Sequence, residues 1–578
     1  MALAGIALIG ALAIGDESNG NDRAVPVADF VLDAADGARL DLYSEQRDRV
    51  LTVVAWTSVG CPIAKLLAPR LGRLEKEYRG RGVRFLGIDP NLQDSAAEIA
   101  TFAKDAGIDF PLLLDGRQVV TDRLGVTRTT EVFVLDADFR VLYRGAVDDQ
   151  YSVGAQKPKP NNDYLIDALE SGLAGETIDV AQTDAPGCLV GRVKQDDAQA
   201  DVTFFRDVAP ILWKNCVECH RPGQIGPMSF LDAKEAVGWA PSIAEVTGNG
   251  TMPPWHANPR FGHFNNARHL TETEKRTLDL WAKSGAKLGD AAESPPVPQF
   301  ADPEWTIGTP DLIVELPEAQ SIPAEGVLPY RYVMVDPQIS EERWAQQIEV
   351  KPGNRAVTHH VITFLVPAGA TAMQALADQE SALGGSHFAG NVPGGRPIVL
   401  PDGQGKFIAK GTKFLFQLHY TPNGTATTDR TRVGIRFSRV PVTQEVKSRA
   451  VVNVRLDIPP NASDATFTRT ETFDRPATLM ALMPHMHVRG KSFRFELERT
   501  NGEKSILLDV PKYDFNWQHT YQLAEPIALA KGDKLTLTAA YDNSKANPFN
   551  PDPNQRVRWG DQTFEEMMVG YLGLEFDR

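Results

Sequence analysis

Histidines recur in the C-terminal half of the chain at spacings that suit a metal ion. Five of the chain's 11 histidines form an ordered set that ends with a methionine. The set comprises His359, His360, His419, His485, His487 and Met567. Imidazole binds copper, zinc, iron and nickel, but a thioether beside imidazoles favours Cu(I). The pattern therefore predicts redox chemistry at copper.

The spacing of these histidines sets a geometric condition on the strands that carry them. Residues i and i+2 of a strand face the same side, so His485 and His487 can share one ion. His359 and His360 are adjacent and point to opposite faces of a regular strand. Both can bind one ion only where a bulge or a strand end re-aims one ring. Two further histidines, His387 and His519, are expected to be ordinary core or surface groups.

A second redox motif lies upstream, in Cys216-Val-Glu-Cys219-His220. This is C-x-x-C-H, the attachment signature of c-type haem. The two thiols would form thioethers with the haem vinyl groups, and His220 would be the proximal iron ligand. The alternative is a CxxC disulfide or half of a zinc site.

The region around this motif resembles small class I-like cytochromes c. A helix is expected before the motif, and the stretch Gly250-Thr-Met-Pro-Pro254 matches that family. The resemblance implies Met252 as the distal iron ligand, since haem electron carriers often pair His with Met. Met228 and His256 remain alternatives.

The histidine-rich region resembles the copper type II, ascorbate-dependent monooxygenases, which include the peptidylglycine and dopamine hydroxylases. His359, His360 and His419 resemble that family's all-histidine copper site. His485-x-His487 with Met567 resembles its site of two histidines and one methionine. The resemblance implies two copper ions, with electron transfer at the first and reaction of O2 with a C–H bond at the second.

Several residues near the second site bear on that resemblance. Met568 and Met486 are rivals of Met567 as the sulfur ligand, but Met568 would face away from Met567 on a strand. Peptide-amidating relatives place an arginine two residues before His-x-His, where this chain has Met483. That family also has a tyrosine four residues after the ligand methionine, and this chain has Tyr571 at that position. Peptidylglycine is therefore not the expected substrate.

The segment Trp56-Thr-Ser-Val-Gly-Cys61-Pro62 resembles thioredoxin-like and peroxiredoxin-like proteins. Cys61 would stand at a helix N-terminus, which stabilises a thiolate. The second cysteine of a CxxC pair is missing, because Ala64 occupies its position. Cys188 could be a distant resolving partner of a redox-active Cys61, form a structural disulfide with it, or leave it free. A degenerate thioredoxin fold used for docking or copper handling is a further alternative.

Hydrophobic periodicity places these motifs on three kinds of structure. Strand and helix patterns alternate first, with strands at 50–56, 83–88 and 131–135 and helices at 62–78 and 96–106, which indicates a mixed α/β sheet. The haem-like region reads as helical, and Thr271 with Glu274 forms a capping box. Short alternating strands follow, at 330–335, 361–366, 413–420, 492–497 and 534–541, as in antiparallel β-sandwiches.

The predicted fold class is multidomain α+β. It combines a thioredoxin-like α/β domain, a small all-α cytochrome c domain and two antiparallel β-sandwich domains. The expected boundaries are 1–23 for a leader and linker, 24–197 for the thioredoxin-like domain, 198–290 for the cytochrome c-like domain, 291–304 for a Pro-rich linker, and 305–442 and 443–578 for the two sandwiches.

Composition limits the classes of partner. The chain has 578 residues, 42% of them hydrophobic, and a net charge of −15, which disfavours nucleic acid and anionic membranes. Residues 1–14 resemble the apolar core of a signal peptide, and no other apolar run is long enough for a transmembrane anchor. Covalent haem attachment takes place outside the cytoplasm, so a periplasmic or otherwise exported protein is expected.

The sequence thus predicts an exported copper- and haem-dependent oxidoreductase, an O2-using monooxygenase supplied with electrons through its own haem. Its cofactors would be two copper ions and one covalently bound haem c. Its partners would be O2, an organic substrate that the sequence does not identify, and a periplasmic electron donor. The alternative is a non-catalytic periplasmic electron-transfer or copper-handling protein. A third possibility is a thiol peroxidase that uses Cys61.

Overall fold

A computed structural model provides the structure of the chain. It describes residues 26–43, 49–91, 93–152, 155–157, 159–191, 201–222, 224, 226, 228–300, 304–371, 374, 387–392 and 395–577. The predicted leader, residues 1–23, lies outside the described residues.

The N-terminal part is an α/β domain built on a seven-stranded mixed sheet. Its strands are β1 (Val31–Ala34), β2 (Arg39–Asp41), β3 (Leu51–Trp56), β4 (Val83–Asp89), β5 (Leu112–Leu114), β6 (Val132–Leu135) and β7 (Val141–Gly145), and a small hairpin adds β8 (Tyr151–Ser152) and β9 (Ala155–Gln156). Its helices are α1 (Pro62–Tyr78), the 3₁₀ turn Arg79–Arg81, α2 (Ala96–Ala106), α3 (Val119–Arg123) and α4 (Tyr164–Ala174). The predicted thioredoxin-like α/β architecture is confirmed.

Strand pairing explains why the central strands carry continuous apolar runs. The sheet order is β2-β1-β5-β4-β3-β6-β7, with β3, β4 and β5 parallel and the flanking pairs antiparallel. Every residue of β3 and β4 is buried, because α1, α2 and α4 cover one face of this sheet and α3 with neighbouring loops covers the other. The β3–α1 connection therefore holds Cys61 at a fixed point, at the edge where β3 ends.

The middle part, 204–283, is helical. It consists of a π-helical turn at Phe204–Val208, α5 (Ala209–Asn215), α6 (Ala233–Gly238), α7 (Ala240–Gly248) and α8 (Glu272–Lys283), followed by the 3₁₀ turn Ala291–Glu293. Helix α8 begins with the predicted capping box, in which Thr271 and Glu274 each accept a backbone N–H of the other. Its apolar face, with Leu278 and Trp281, is fully buried against Phe204.

The C-terminal part is built of β-strands. The first half contains β10 (Leu312–Glu315), β11 (Gln320–Ile322), β12 (Arg331–Val335), β13 (Arg343–Lys351), β14 (Thr358–Val366), β15 (His387–Asn391), β16 (Ile398–Val399), β17 (Gln404–Ile408), β18 (Lys413–Tyr420), β19 (Thr427–Asp429) and β20 (Arg432–Phe437). The second half contains β21 (Gln444–Val452), β22 (Asp457–Ile458), β23 (Ala465–Thr472), β24 (Ala477–His485), β25 (Gly490–Glu498), β26 (Lys504–Val510), β27 (Tyr521–Leu529), β28 (Lys534–Tyr541), β29 (Val557–Arg558) and β30 (Val569–Asp577).

These strands form two layered units that share a sheet. The four-stranded sheets β12-β18-β14-β15 and β23-β28-β25-β26 each cover one half of a nine-stranded sheet. Eight strands of that long sheet run β10-β20-β13-β17-β21-β30-β24-β27, and the ninth, β16, pairs with β13. The sheet passes from the first half to the second through the parallel pair β17–β21. Separate cores fill the two halves. The predicted boundary at 442/443 therefore falls inside a continuous sheet.

Candidate functional site

Three of the predicted ligands meet where β14 pairs with β18. His360 lies directly opposite His419 in the antiparallel register, and the register shifts between Thr358 and His360. This irregularity leaves His359 as an extra residue in β14. A bulge re-aims a side chain, which is the condition that the adjacent histidines imposed. His359, His360 and His419 consequently gather on one side of the strand pair.

The three imidazoles are close enough to share one ion. One ring nitrogen from each of His359, His360 and His419 lies within 4.8 Å of the others. Nδ1 of His359 is 3.2 Å from Nδ1 of His360. The buried Nε2 of His359 and Nδ1 of His419 have no hydrogen-bond partner among the described residues. Because a metal ion lies ~2 Å from each imidazole nitrogen, small ring rotations would bring three nitrogens to one ion.

Burial keeps these rings in the form that binds metals. It lowers the pKa of His359 to about 4 and holds the pKa values of His360 and His419 well below the ordinary histidine value. The neighbouring imidazoles lower all three further. The rings are therefore neutral near pH 7, and a neutral imidazole is the ligating species.

A second pair of histidines lies at the end of β24. His485 is the last residue of that strand and pairs with Val569 of β30, while His487 follows in the turn to β25. Their ring centroids are 5.2 Å apart. Burial lowers the pKa of His485 to about 4 and that of His487 to about 3. These two rings are also neutral near pH 7.

Hydrogen bonds at Nδ1 leave Nε2 of both rings available. Nδ1 of His485 lies 2.8 Å from Oε1 of Gln518, and Nδ1 of His487 lies 3.2 Å from the carbonyl oxygen of Glu565. Both partners are acceptors, so each Nδ1 carries the hydrogen and each Nε2 carries the lone pair. The buried Nε2 of His487 has no hydrogen-bond partner in the described part of the chain. Such fixed tautomers are typical of histidines that bind metals.

The three candidate methionines differ in burial. Met486 and Met568 are both 0% exposed and belong to the core of the second sandwich. Met567 is half-buried and lies two residues before Val569, the partner of His485. Met567 also lies two residues after Glu565, whose carbonyl oxygen is 3.2 Å from Nδ1 of His487. The geometry therefore favours Met567 over its two neighbours as a ligand.

A buried carboxylate supports the turn that carries His487. Glu566 is 0% exposed and accepts the backbone N–H of His487 at 2.8 Å and that of Arg489 at 2.6 Å. Burial raises the pKa of Glu566 to about 7. The guanidinium of Arg489 donates in turn to Asn543 and to the Phe564 carbonyl oxygen. This network ties the Met567 segment to the histidine turn, and no motif in the sequence pointed to it.

The two clusters face each other across one aromatic ring, which sequence reasoning missed. Phe515, in the loop between β26 and β27, stacks on His359 with a centroid distance of 5.0 Å and an interplanar angle of 13°. Its ring is also 5.9 Å from that of His487. On the first-sandwich side, Tyr330 lies 4.7 Å from His419 and 5.4 Å from His360.

Beside the second cluster lies a group of partly buried aromatic and polar side chains. Tyr571 pairs with Met483 across β24 and β30, and its ring is 6.3 Å from His485 and 5.2 Å from His387. Burial lowers the pKa of His387 to about 3, and its buried Nδ1 has no partner among the described residues. His387 was expected to be an ordinary group, but it lies beside the retained Tyr571.

The C-x-x-C-H motif forms a turn directly after α5. Cys216 and Cys219 are both free thiols, and burial raises both pKa values. His220 stacks on Phe230 at 4.7 Å, and its buried Nδ1 has no partner in the described chain. Burial lowers the pKa of His220 to about 4, against a contact with the Met228 backbone that raises it. Two free thiols and a neutral imidazole fit the donor set that haem c requires.

The candidates for the distal ligand lie on two different segments. Met228 is partly buried against the helical core, close after the motif. Met252 is half-buried in the loop after α7, where its N–H donates to the Val246 carbonyl oxygen at 2.9 Å. His256, in the same loop, approaches His519 at 6.3 Å. His256 thus lies on the second sandwich.

The motif also contacts the first sandwich. The carboxylate of Glu218, between the two cysteines, pairs with Arg396 at 3.1 Å and with Arg268 at 3.3 Å. The guanidinium of Arg355 donates to the side-chain oxygen of Gln224 at 3.2 Å. Arg355 lies four residues before His359, so the motif is held beside the strand that carries two of the histidines.

Cys61 and Cys188 lie together although 127 positions separate them in the sequence. Cys61 is fully buried at the N-terminus of α1, and a hydrogen bond with the Cys188 thiol lowers the pKa of Cys61 to about 6 and raises that of Cys188. Cys188 packs against the cores of both the α/β domain and the helical part. A Cβ at Gly60 would lie 2.8 Å from the Trp239 ring, so the helical part covers this thiol pair.

Among the described residues, none of the helices is long and apolar enough to cross a membrane.

Comparison with known families identifies the two ends of the chain. Residues 21–159 match the Redoxin family, and residues 451–573 match the copper type II ascorbate-dependent monooxygenase C-terminal domain. The chain therefore carries a redoxin domain at its N-terminus and a domain of copper monooxygenase type at its C-terminus. Both are domains of oxidoreductases.

Individual relatives cover the N-terminal part. The thiol-disulfide oxidoreductase ResA of Bacillus subtilis is 25% identical over 138 residues, which are 24% of this chain and 74% of ResA. A hypothetical protein, SMc02350, from Sinorhizobium meliloti is 27% identical over 30% of this chain and 94% of its own, with a TM-score of 0.26. The peroxidoxin BcpB of Mycobacterium tuberculosis is 23% identical over 26% of this chain and 94% of its own, with a TM-score of 0.21.

Proposed function

We propose that this chain, which joins a redoxin domain to a domain of copper monooxygenase type, is an exported copper- and haem-dependent monooxygenase. It would use O2 to hydroxylate a C–H bond of an organic substrate. One observation carries the proposal, namely that two clusters of buried or partly buried, neutral imidazoles lie on either side of Phe515, with ring nitrogens that have no partner among the described residues. The family match of residues 451–573 supports it, because that match includes the second cluster.

Six side chains would hold the two copper ions. His359, His360 and His419 would bind one ion, and His485, His487 and Met567 the other. Copper supplies one-electron redox chemistry and, at the site with the thioether, a Cu(I) state that O2 activation needs. The protein contributes fixed tautomers through Gln518 and Glu565, and a buried setting that limits access of water.

Cys216, Cys219 and His220 would hold one haem c, with Met252 as the proposed distal ligand. A haem attached there supplies single electrons, and tethering a carrier to its acceptor raises the effective concentration without new contacts. The ion pair of Glu218 with Arg396 keeps the motif beside the first sandwich. The external electron donor would be a periplasmic carrier, since covalent haem attachment implies export.

The substrate would lie beside His485, next to Tyr571 and His387. Met483 stands where peptide-amidating relatives have an arginine, whose guanidinium would bind a substrate carboxylate. In this chain Met483 pairs with Tyr571. The side chains that remain offer a phenol and an imidazole nitrogen, both of which hydrogen-bond to neutral polar groups. We therefore propose a substrate without an obligatory carboxylate.

The test is oxygen consumption by the copper-loaded full chain with a reductant and a panel of C–H substrates. Hydroxylated product should form in step with O2 uptake, and His487→Ala should abolish both. Gln522→Leu, which changes an exposed side chain, is a matched control. In a second measurement, the reduced haem should be reoxidised by O2 only when copper is bound. Reoxidation at the same rate without copper would refute the haem relay.

One observation favours a second candidate function. The Phe515 ring occupies the space between the two clusters and stacks on His359, which suits electron transfer or copper handling without substrate. This alternative predicts copper binding and haem redox cycling with no hydroxylated product. Copper stoichiometry helps to separate the two, because the monooxygenase requires two ions per chain.

A further inference from the structure

One loop of the second sandwich contacts both histidine clusters. We name residues 511–520, between β26 and β27, the bridging loop. Its Tyr513 hydroxyl accepts the N–H of Met486 at 3.0 Å and donates to the carbonyl oxygen of Met486 at 2.9 Å, between the two histidines of the second cluster. Phe515 stacks on His359, and Gln518 bonds to His485. The loop thus hydrogen-bonds to a ring of the second cluster, whereas it meets the first cluster only through ring contacts of Phe515.

Gln518 has a defined orientation in the bridging loop. Its Nε2 donates to the Phe515 carbonyl oxygen at 3.2 Å, which turns Oε1 toward Nδ1 of His485. Gln518 is only 2% exposed, so water has little access to replace this acceptor. A buried acceptor at Nδ1 both fixes the ring and makes Nε2 more basic. Gln518 is thus a positioning residue for His485.

The next residue of the loop is held by the helical part of the chain. His519 is 6% exposed and its ring lies against the Pro254 backbone, while its buried Nε2 has no partner among the described residues. The Trp255 ring lies 5.9 Å from His519 and 4.9 Å from Tyr521. Two residues of the helical part, Pro254 and Trp255, therefore hold the loop at the position next to Gln518.

Further backbone contacts make this a docked segment. Segment 254–266 runs along β27, where the N–H of Asn265 donates to Gln522 at 3.0 Å and that of Ala524 donates to His263 at 2.8 Å. The N–H of Asn258 donates to the carbonyl oxygen of Asp509 at 2.8 Å, and Ala257 belongs to the core of the sandwich. The segment is thus built into the second sandwich.

We propose that docking of segment 254–266 sets the copper affinity of the His485/His487 site through His519 and Gln518. The inference rests on the proposed function, because it assumes that copper binds at this site. The helical part would in this way act on the metal site through the bridging loop. Changes at outer partners of metal ligands typically alter metal affinity by about 10- to 100-fold.

The experiment measures Cu(II) affinity of the full chain by competition with a chelator. A His360→Ala background removes a ligand of the first cluster, so the His485/His487 site is titrated alone. Gln518→Leu and Trp255→Ala should each weaken copper binding by about 10-fold or more. The g and hyperfine values of the Cu(II) EPR spectrum should change as well. His519→Phe, which keeps a ring but loses the polar contact with Pro254, should also weaken copper binding.

Two matched controls separate coupling from general loosening. Gln299→Leu alters an exposed glutamine outside the docked segment, and Trp344→Ala alters a half-buried tryptophan that packs on Phe407 in the first sandwich. Neither should change the affinity. The same substitutions in a His487→Ala background report on the three-histidine cluster, which should keep its affinity.

The outcomes are distinct for the two proposals. If the His360→Ala chain with an intact loop binds no copper, the proposed function fails. If it binds copper and the Gln518, Trp255 and His519 variants bind equally well, only the coupling fails. An equal loss at both clusters would mean general unfolding and would also overturn the coupling.

Discussion

Oxidation of Cys61 and Cys188 to a disulfide should stabilise the redoxin domain. The two thiols already share a hydrogen bond, which lowers the pKa of Cys61 and so favours its thiolate, the form that attacks a disulfide. Oxidised glutathione would take up two electrons and two protons, giving two glutathione thiols and one protein S–S bond. The bond would close a loop of about 130 residues, for which chain entropy predicts a gain of up to about 5 kcal/mol.

Hydrogen exchange of the full chain measures this gain locally. Peptides covering β3 and β4 are fully buried and report on opening of the redoxin core. Their exchange should slow after treatment with oxidised glutathione, and the mass of the chain should fall by two hydrogens. Cys188→Ser should abolish both effects, whereas Cys219→Ser should preserve them.

Retention of both thiols in the treated chain would contradict the predicted disulfide. The predicted stabilisation would be refuted if the disulfide forms and the exchange of β3 and β4 is unchanged.

Three further predictions address other parts of the chain. Burial lowers the pKa of Lys406 to about 7, against ~10.4 in an unfolded chain, so unfolding takes up a proton between these pH values. The free energy of unfolding of the first sandwich should therefore rise as pH increases from about 7 to 10, as measured by urea denaturation. Lys406→Met should remove this pH dependence, and an unchanged pH dependence would show that Lys406 is not its source. His419→Ala should reduce bound copper from two ions to one per chain by metal analysis, and two retained ions would exclude the three-histidine site. Thr271→Ala deletes the cap of α8 and should cost about 1 kcal/mol in denaturation followed by Trp281 fluorescence, whereas an exposed Thr273→Ala change within the helix should cost less.

Local sequence patterns predicted the helices and strands well where apolar spacing and flanking turn residues determine the secondary structure. Helix α1 was expected at 62–78 and strands β18 and β28 at 413–420 and 534–541, and all three have those bounds. Apolar spacing, Pro62 at the first helical position and flanking turns are local signals. The preference of such segments for helix or strand does not depend on the domain that surrounds them.

The sequence predicted candidate metal ligands, but it did not predict how the strands would bring them together. Adjacent His359 and His360 required an irregular strand, and the register shift in β14 supplies it. The sequence did not show that Phe515 lies between the clusters, because that contact joins two sandwiches. Gln518 and His519 were missed for the same reason, since their partners lie on other strands or on the helical part. The run Tyr-Asp-Phe-Asn-Trp-Gln-His, with four rings between two strands, was the one local signal.

The sheet shared by the two sandwiches has a mechanical consequence. Strand β17 is bonded to β21, and β21 pairs with β30 over nine residue pairs. Hinge bending at 442/443 would have to break backbone hydrogen bonds, and cutting the chain there would leave two open strand edges prone to aggregation. Backbone hydrogen bonds therefore join the two halves that carry the histidine clusters, and a slow hinge motion between the halves is not expected to limit the reaction rate.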